Sequence, residues 1–172
     1  GYDWEANESK YGSRKFSEND PISAYEEYIY MGYRYFDTFN KEVAYPFGFG
    51  LSYSDFTFTD LDVEANQEEK NFTVSATIKN ESDPDVIPGK EVMEVYVSKP
   101  QGDLEQAYQN LVTFGKTEEL ASGEEQRLEL DISFYEIASY DEELAAYVLE
   151  PGEYIIRVGN SSRNTHVAGK IS

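Results

Sequence analysis

A chain of 172 residues is long enough for one β-sandwich of about 100 residues with an appendage, and too short for the roughly 250 residues of a barrel enzyme. Its 34 Asp and Glu against 14 Lys and Arg give a formal charge of -20, a field that repels phosphate backbones and anionic lipid and so argues against nucleic acid and membrane as partners. With no Cys and the single histidine His166, no disulfide framework, thiol nucleophile, Cys zinc site or multi-histidine metal centre can form, and neither a metal nor a cofactor is expected.

The opening GYDWEANESK lacks a basic region followed by an apolar run, and no stretch of about 18 apolar residues occurs anywhere. No signal peptide or transmembrane segment is therefore read; the chain is expected to be soluble, its start to be a processing boundary and its compartment to be undetermined. Residues 1–24 are polar and without period, as in an extended segment ordered only by packing on another domain. In YEEYIYMGYRYFDTF the apolar positions crowd together and leave little polar face, so burial on several sides is expected. YPFGFGLSYSDF then sets Pro46, Gly48 and Gly50 between the aromatic anchors Tyr45, Phe47, Phe49 and Tyr53, a connector stiffer than a Gly/Ser linker.

From Phe56 the pattern changes to short runs rich in β-branched and aromatic residues, separated by turns. FTFTDLDV alternates, and NFTVSATIKN places Phe72, Val74, Ala76 and Ile78 on one face. In KEVMEVYVSKP, Val92, Val95 and Val97 lie in a run that loses alternation near Met93, where a bulge is expected. NLVTFGKTEEL follows, then the alternating Leu128, Leu130 and Ile132; SYDEELAAYV reads as a short helix, Pro151-Gly152 as a turn, and Tyr154 to Val158 as a strand. Val167 to Ile171 adds an edge strand. Tyr154, just after its turn, is either a tyrosine corner bonded to nearby backbone or a simple core aromatic. About seven strands with no long helices between them give a mainly β chain, an immunoglobulin- or fibronectin III-like antiparallel β-sandwich.

Three pieces carry a resemblance: Tyr25, Glu27, Ile29, Gly32, Tyr33 and Arg34 in the first; Pro46, Phe47, Gly48, Phe49, Gly50, Leu51, Ser52, Tyr53 and Phe56 in the second; and GKEVMEVYVS, SYDEE and LEPGEYIIRVGNSS further on. In this order and spacing, over residues 25–162, they resemble the C-terminal region of glycoside hydrolase family 3 β-glucosidases, although Tyr28 stands where the family usually has Gly or Asp. The resemblance implies a parent in which a barrel carries a nucleophilic Asp, an α/β sandwich domain carries an acid/base Glu, and a fibronectin III-like domain packs beside them. It assigns residues 1–50 to the extended remnant of the α/β sandwich domain with its junction, and 51–172 to the fibronectin III-like domain. The implied function is a non-catalytic accessory region of a retaining β-glucosidase, with the catalytic barrel and α/β domains as partners. A carbohydrate-binding module and an adhesion domain of immunoglobulin type are the alternatives.

Retaining hydrolysis needs two carboxyl groups about 5 Å apart, and no catalytic residue is assigned here. Asp3-Trp4 lacks both the preceding Ser and the barrel strand of the family's nucleophile motif, and the adjacent Glu26 and Glu27 point apart. Glu27 is read as a partner for Arg34 or Lys41, and Arg34 as stacking on an aromatic to hold two domains in register. Gly48-Phe49-Gly50 opens no helix and is no phosphate loop. Glu81, Asp83 and Asp85 read as a solvated turn and not a Ca²⁺ loop. Four sequons occur, at Asn7, Asn71, Asn80 and Asn160.

Overall fold

The computed structural model describes residues 28–172; the polar opening segment and Tyr25, Glu26 and Glu27 lie outside them. Strand β1 (Phe56–Asn66) pairs with β2 (Asn71–Asn80), and β2 with β5 (Glu125–Ser133), in a three-stranded sheet. The second sheet has the order β4-β3-β8-β9, from β3 (Val92–Ser98), β4 (Asn110–Lys116), β8 (Tyr154–Ser161) and β9 (Asn164–Ile171). All pairings are antiparallel, and the expected C-terminal edge strand is β9. Between the inner faces lie Phe72, Val74, Ala76 and Ile78 of β2, Met93, Val95 and Val97 of β3, and Ile156 and Val158 of β8, all fully buried. Such a sandwich core is what period-two alternation produces when one face of each strand is apolar.

Two local expectations about alternation are corrected. FTFTDLDV does not alternate throughout, because Asp60, at φ 49°, is an extra residue where the β1–β2 register shifts between Thr59 and Asp62. The bulge carries Leu61 and Val63 back to the same core that Phe56 and Phe58 touch. In β3 there is no bulge at Met93: Met93, Val95 and Val97 alternate regularly, and the irregularity lies between Val95 and Tyr96, where β4 contributes the additional Val112. The run looked aperiodic because β3 is buried on both faces, with Glu94 and Tyr96 covered from outside.

SYDEELAAYV is a hairpin and not a helix: β6 (Ser139–Asp141) pairs with β7 (Ala146–Val148). The Asp141 carboxylate accepts the backbone N–H groups of Glu143 and Leu144, and Ala145 adopts φ 51°, so side-chain bonding captures the turn before a helix can start. Tyr147 packs on Tyr140 and on Tyr135, which belongs to the 3₁₀ turn Phe134–Ile137.

Tyr154 is a corner: its hydroxyl donates to the Glu150 carbonyl at 2.9 Å while the ring is buried. Tyr154→Phe is expected to cost about 1 kcal/mol in urea unfolding with the m-value unchanged, and a cost under about 0.3 kcal/mol would show the bond to be exchanged for water without loss. Asn80, 1% exposed, donates to the Leu120 carbonyl and accepts from the Ser82 N–H, which makes this sequon asparagine a structural strut. Glu81 pairs with Lys79, while Asp83 and Asp85 are exposed. Among the described residues no helix is long and apolar enough to cross a membrane.

Candidate functional site

Residues 33–48 pack on the outer side of the second sheet, against β3, the start of β4 and the β8–β9 turn, and this segment with its seat is the site the fold builds. Gly32, at φ 57°, precedes it, and it opens on the six-residue helix α1 (Tyr33–Thr38). Tyr33 meets the Tyr96 ring edge-on at 5.9 Å and the Phe47 ring at 4.9 Å, and its hydroxyl accepts the Leu111 N–H at 2.7 Å. Tyr96 is thereby fully buried on a face that would otherwise meet water.

Pro46 to Phe49 form a turn closed by the Phe49 N–H on the Pro46 carbonyl, with Gly48 at φ 85° in the position that a type II turn reserves for glycine. The Phe47 carbonyl accepts the Ser162 N–H at 2.8 Å. Below the turn lies the Glu94 carboxylate, so close that a Cβ on Gly48 would fall 2.5 to 2.9 Å from it. Tyr96 donates its hydroxyl to Glu94 Oε2 at 2.7 Å. Burial lifts the Glu94 carboxyl above the ordinary range, opposed by the Tyr96 bond and helped by nearby Glu91; burial and then the carboxylate acceptor lift Tyr96.

The end of α1 is held by the turn between β8 and β9. Arg163 pairs with the Asp37 carboxylate and donates to the carbonyls of Phe36 at 3.0 Å and Lys41 at 2.8 Å. Gln109 Nε2 bridges Asp37 Oδ2 and the Ser162 carbonyl, and Thr38 Oγ1 accepts the Tyr108 N–H. The Asp37 side chain is 4% exposed. Asp37, Glu94, Gln109 and Arg163 were not singled out in the sequence, where Arg163 stands 126 positions from Asp37 and no local pattern links them.

Other motif residues take different places. Arg34 donates to the Ile29 carbonyl at 3.5 Å, and the cation–π contact among the described residues is Arg157 over Tyr108, so the expected aromatic stacking of Arg34 is not observed. Arg34 instead adds, after burial, to the lowering of the Lys99 ammonium, which donates to the Ala138 carbonyl and Ser139 hydroxyl. Ser52 caps the Ser54 N–H. The large apolar side chains here do not all point inward: Leu51 is 95% and Tyr53 84% exposed, and Tyr28, Met31, Tyr45 and Phe49 also face outward. A depression of about 190 Å³ between α1 and the turn, lined by Tyr33, Phe36, Val43 and Phe47, is below the roughly 300 Å³ at which ligand pockets begin. The buried carboxylates Asp37 and Glu94 are each bonded internally, Asp37 to Arg163 and Gln109 and Glu94 to Tyr96.

Residues 91–162 match the fibronectin type III-like domain family. The chain is 38% identical over 160 residues to a β-glucosidase of Ruminococcus albus, covering 90% of this chain and 16% of that protein. It superposes on β-glucosidase 3B of Thermotoga neapolitana, solved in complex with glucose, with a TM-score of 0.78 and 42% identity, over 86% of this chain and 20% of that one. A glycoside hydrolase family 3 β-glucosidase of Bifidobacterium adolescentis gives a TM-score of 0.75 at 34% identity, over 84% of this chain and 20% of that one. The chain thus spans about a fifth or less of the length of these relatives.

Proposed function

Because the chain matches the C-terminal region of glycoside hydrolase family 3 enzymes, with a fibronectin type III-like domain within it, we propose that it is a non-catalytic accessory region whose sandwich seats the end of a neighbouring catalytic domain. In this reading residues 1–50 belong to the α/β sandwich domain and its junction, residues 51–172 are the fibronectin III-like domain, and the parent is a retaining β-glucosidase. The motif residues Gly32, Tyr33, Pro46, Phe47 and Gly48 serve the seat, while Leu51 and Tyr53 belong to the surface offered to the rest of the parent. One observation carries the proposal: the junction is bound to the sandwich on one side and leaves the large apolar side chains of Tyr28, Met31, Tyr45, Phe49, Leu51 and Tyr53 exposed. Isolated domains rarely expose apolar patches of this kind unless another surface covers them.

The purified chain is expected to release no nitrophenol from an aryl β-glucoside, and release at the rate of intact enzymes would overturn the accessory reading. Flanking coding sequence without a barrel domain on either side would remove the parent. The sugar-binding alternative has one feature in its favour, the exposed Tyr135, Tyr140 and Tyr147. Their rings, however, tilt against one another by 54° and 66° and present no flat platform. Calorimetric titration with cello-oligosaccharides is expected to show no heat of binding, and micromolar affinity would reverse that preference.

A further inference from the structure

We propose that Glu94 makes the seat of the junction turn proton-sensitive: the neutral carboxyl packs beneath Gly48 and tightens the turn on the sheet, and the ionised one loosens it. The geometry gives the reason. The carboxylate sits in van der Waals contact range of the Gly48 backbone, at the centre of a strand buried on both faces, and its hydrogen bond among the described side chains is the one from Tyr96. A carboxylate has about four acceptor sites, so a single donor leaves a buried charge poorly satisfied.

Among the described residues, the groups around it do not supply a compensating cation. On its own strand and the approach to it stand Tyr96 and Glu91, whose carboxylate receives the Asn160 amide. From α1 come Tyr33 and Asp37, the latter already paired with Arg163. The turn itself brings Pro46, Phe47 and Gly48, and the neighbouring strands oppose Glu94 with Phe114 of β4 and Gly159 of β8. Arg157 of β8 lies opposite Tyr96, but its guanidinium is engaged by Ser98 and the Tyr108 ring. The field at Glu94 is therefore set by burial and by neighbouring acids.

Burial raises the proton affinity of Glu94 in the folded chain above that in the unfolded chain. A group raised in this way contributes stability that is complete below its unfolded pKa and is lost as pH rises through the folded pKa. Tightening on acidification would make the coupling between sandwich and catalytic domains pH-dependent. That consequence rests on the accessory reading above, whereas the titration of the seat does not and is measurable in this chain alone.

The test is Glu94→Gln, which keeps the shape and an acceptor for Tyr96 and removes the charge. Its melting temperature is expected to exceed that of the unsubstituted chain by about 2–4 °C at a pH well above the carboxylate range, the two converging near pH ~4. In the unsubstituted chain the amide resonances of Phe47, Gly48 and Phe49 should shift with the midpoint of the Glu94 carboxyl carbon, and in Glu94→Gln that midpoint should be absent. Tyr96→Phe, which removes the donor, should lower the melting temperature more at high pH than at low. A Glu94→Gln difference that stays constant with pH, or junction amides that do not follow the carboxyl, would overturn the proposal.

Discussion

Gly159→Ala should cost the folded chain about 3 kcal/mol or more, a loss large enough to be plain in either urea or thermal unfolding. A Cβ at this position would lie 1.8 Å from the Asn164 carbonyl oxygen, 2.8 Å from its carbon and 2.9 Å from Thr165 Cα. All three are backbone atoms of β9 and its turn, so no side chain can swing away and the hairpin itself must open. The close approach occurs where the β8–β9 register shifts between Gly159 and Ser161. Glycine is needed here for space. The damage should spread, because this hairpin carries Ser162, which donates to the Phe47 carbonyl, and Arg163, which helps to hold the end of α1. Amide exchange in residues 36–49 is therefore expected to accelerate together with that of β9. A variant within about 0.5 kcal/mol of the original would mean that the hairpin has slack which the backbone distances deny.

Arg163→Ala is expected to remove about 2–4 kcal/mol, the upper part of that range reflecting a charge left without its cation and not merely a lost contact. Asp37 is 4% exposed and Arg163 34%, so the pair is half screened on the arginine side only. Gln109 remains as a donor to Asp37 at 3.3 Å, which moderates the loss. Asp37→Asn in the Arg163→Ala background should recover part of the stability, since a neutral amide tolerates the site better than an unpaired carboxylate. Arg163→Lys should fall well short of the original, because one ammonium cannot reach the Asp37 carboxylate and the Phe36 and Lys41 carbonyls with the geometry of a guanidinium fork. A double-mutant cycle with no coupling between positions 37 and 163 would refute the clamp.

These two predictions concern residues that the sequence pattern passed over, and the reason is physical. Strand alternation is a local property: Phe72, Val74, Ala76 and Ile78 declare their common face within seven positions, and the sheet obeys. The break between Phe58 and Leu61 was equally local, but an Asp at positive φ is only one of several ways to shift a register, so the bulge needed the partner strand β2 to be seen. SYDEELAAYV misled because its composition favours a helix, while the Asp141 side chain and the tyrosine contacts of the hairpin outweigh that weak preference. Tyr154 reads two ways in the sequence, and the Glu150 carbonyl beneath its hydroxyl decides for the corner.

By itself the sequence determined the antiparallel sandwich and, through spaced motifs, the kind of enzyme region it resembles. Those follow from turn chemistry and short-period burial, which act between residues close in the chain. Only the tertiary structure decided why the junction motif reads as it does: Gly48 lies over Glu94, Tyr33 covers Tyr96, and Arg163 reaches back to Asp37. It also decided that Leu51 and Tyr53 face outward. Contacts between strands brought together from distant parts of the chain are set by how the sheets pack, and an isolated position carries no mark of the partner it will meet.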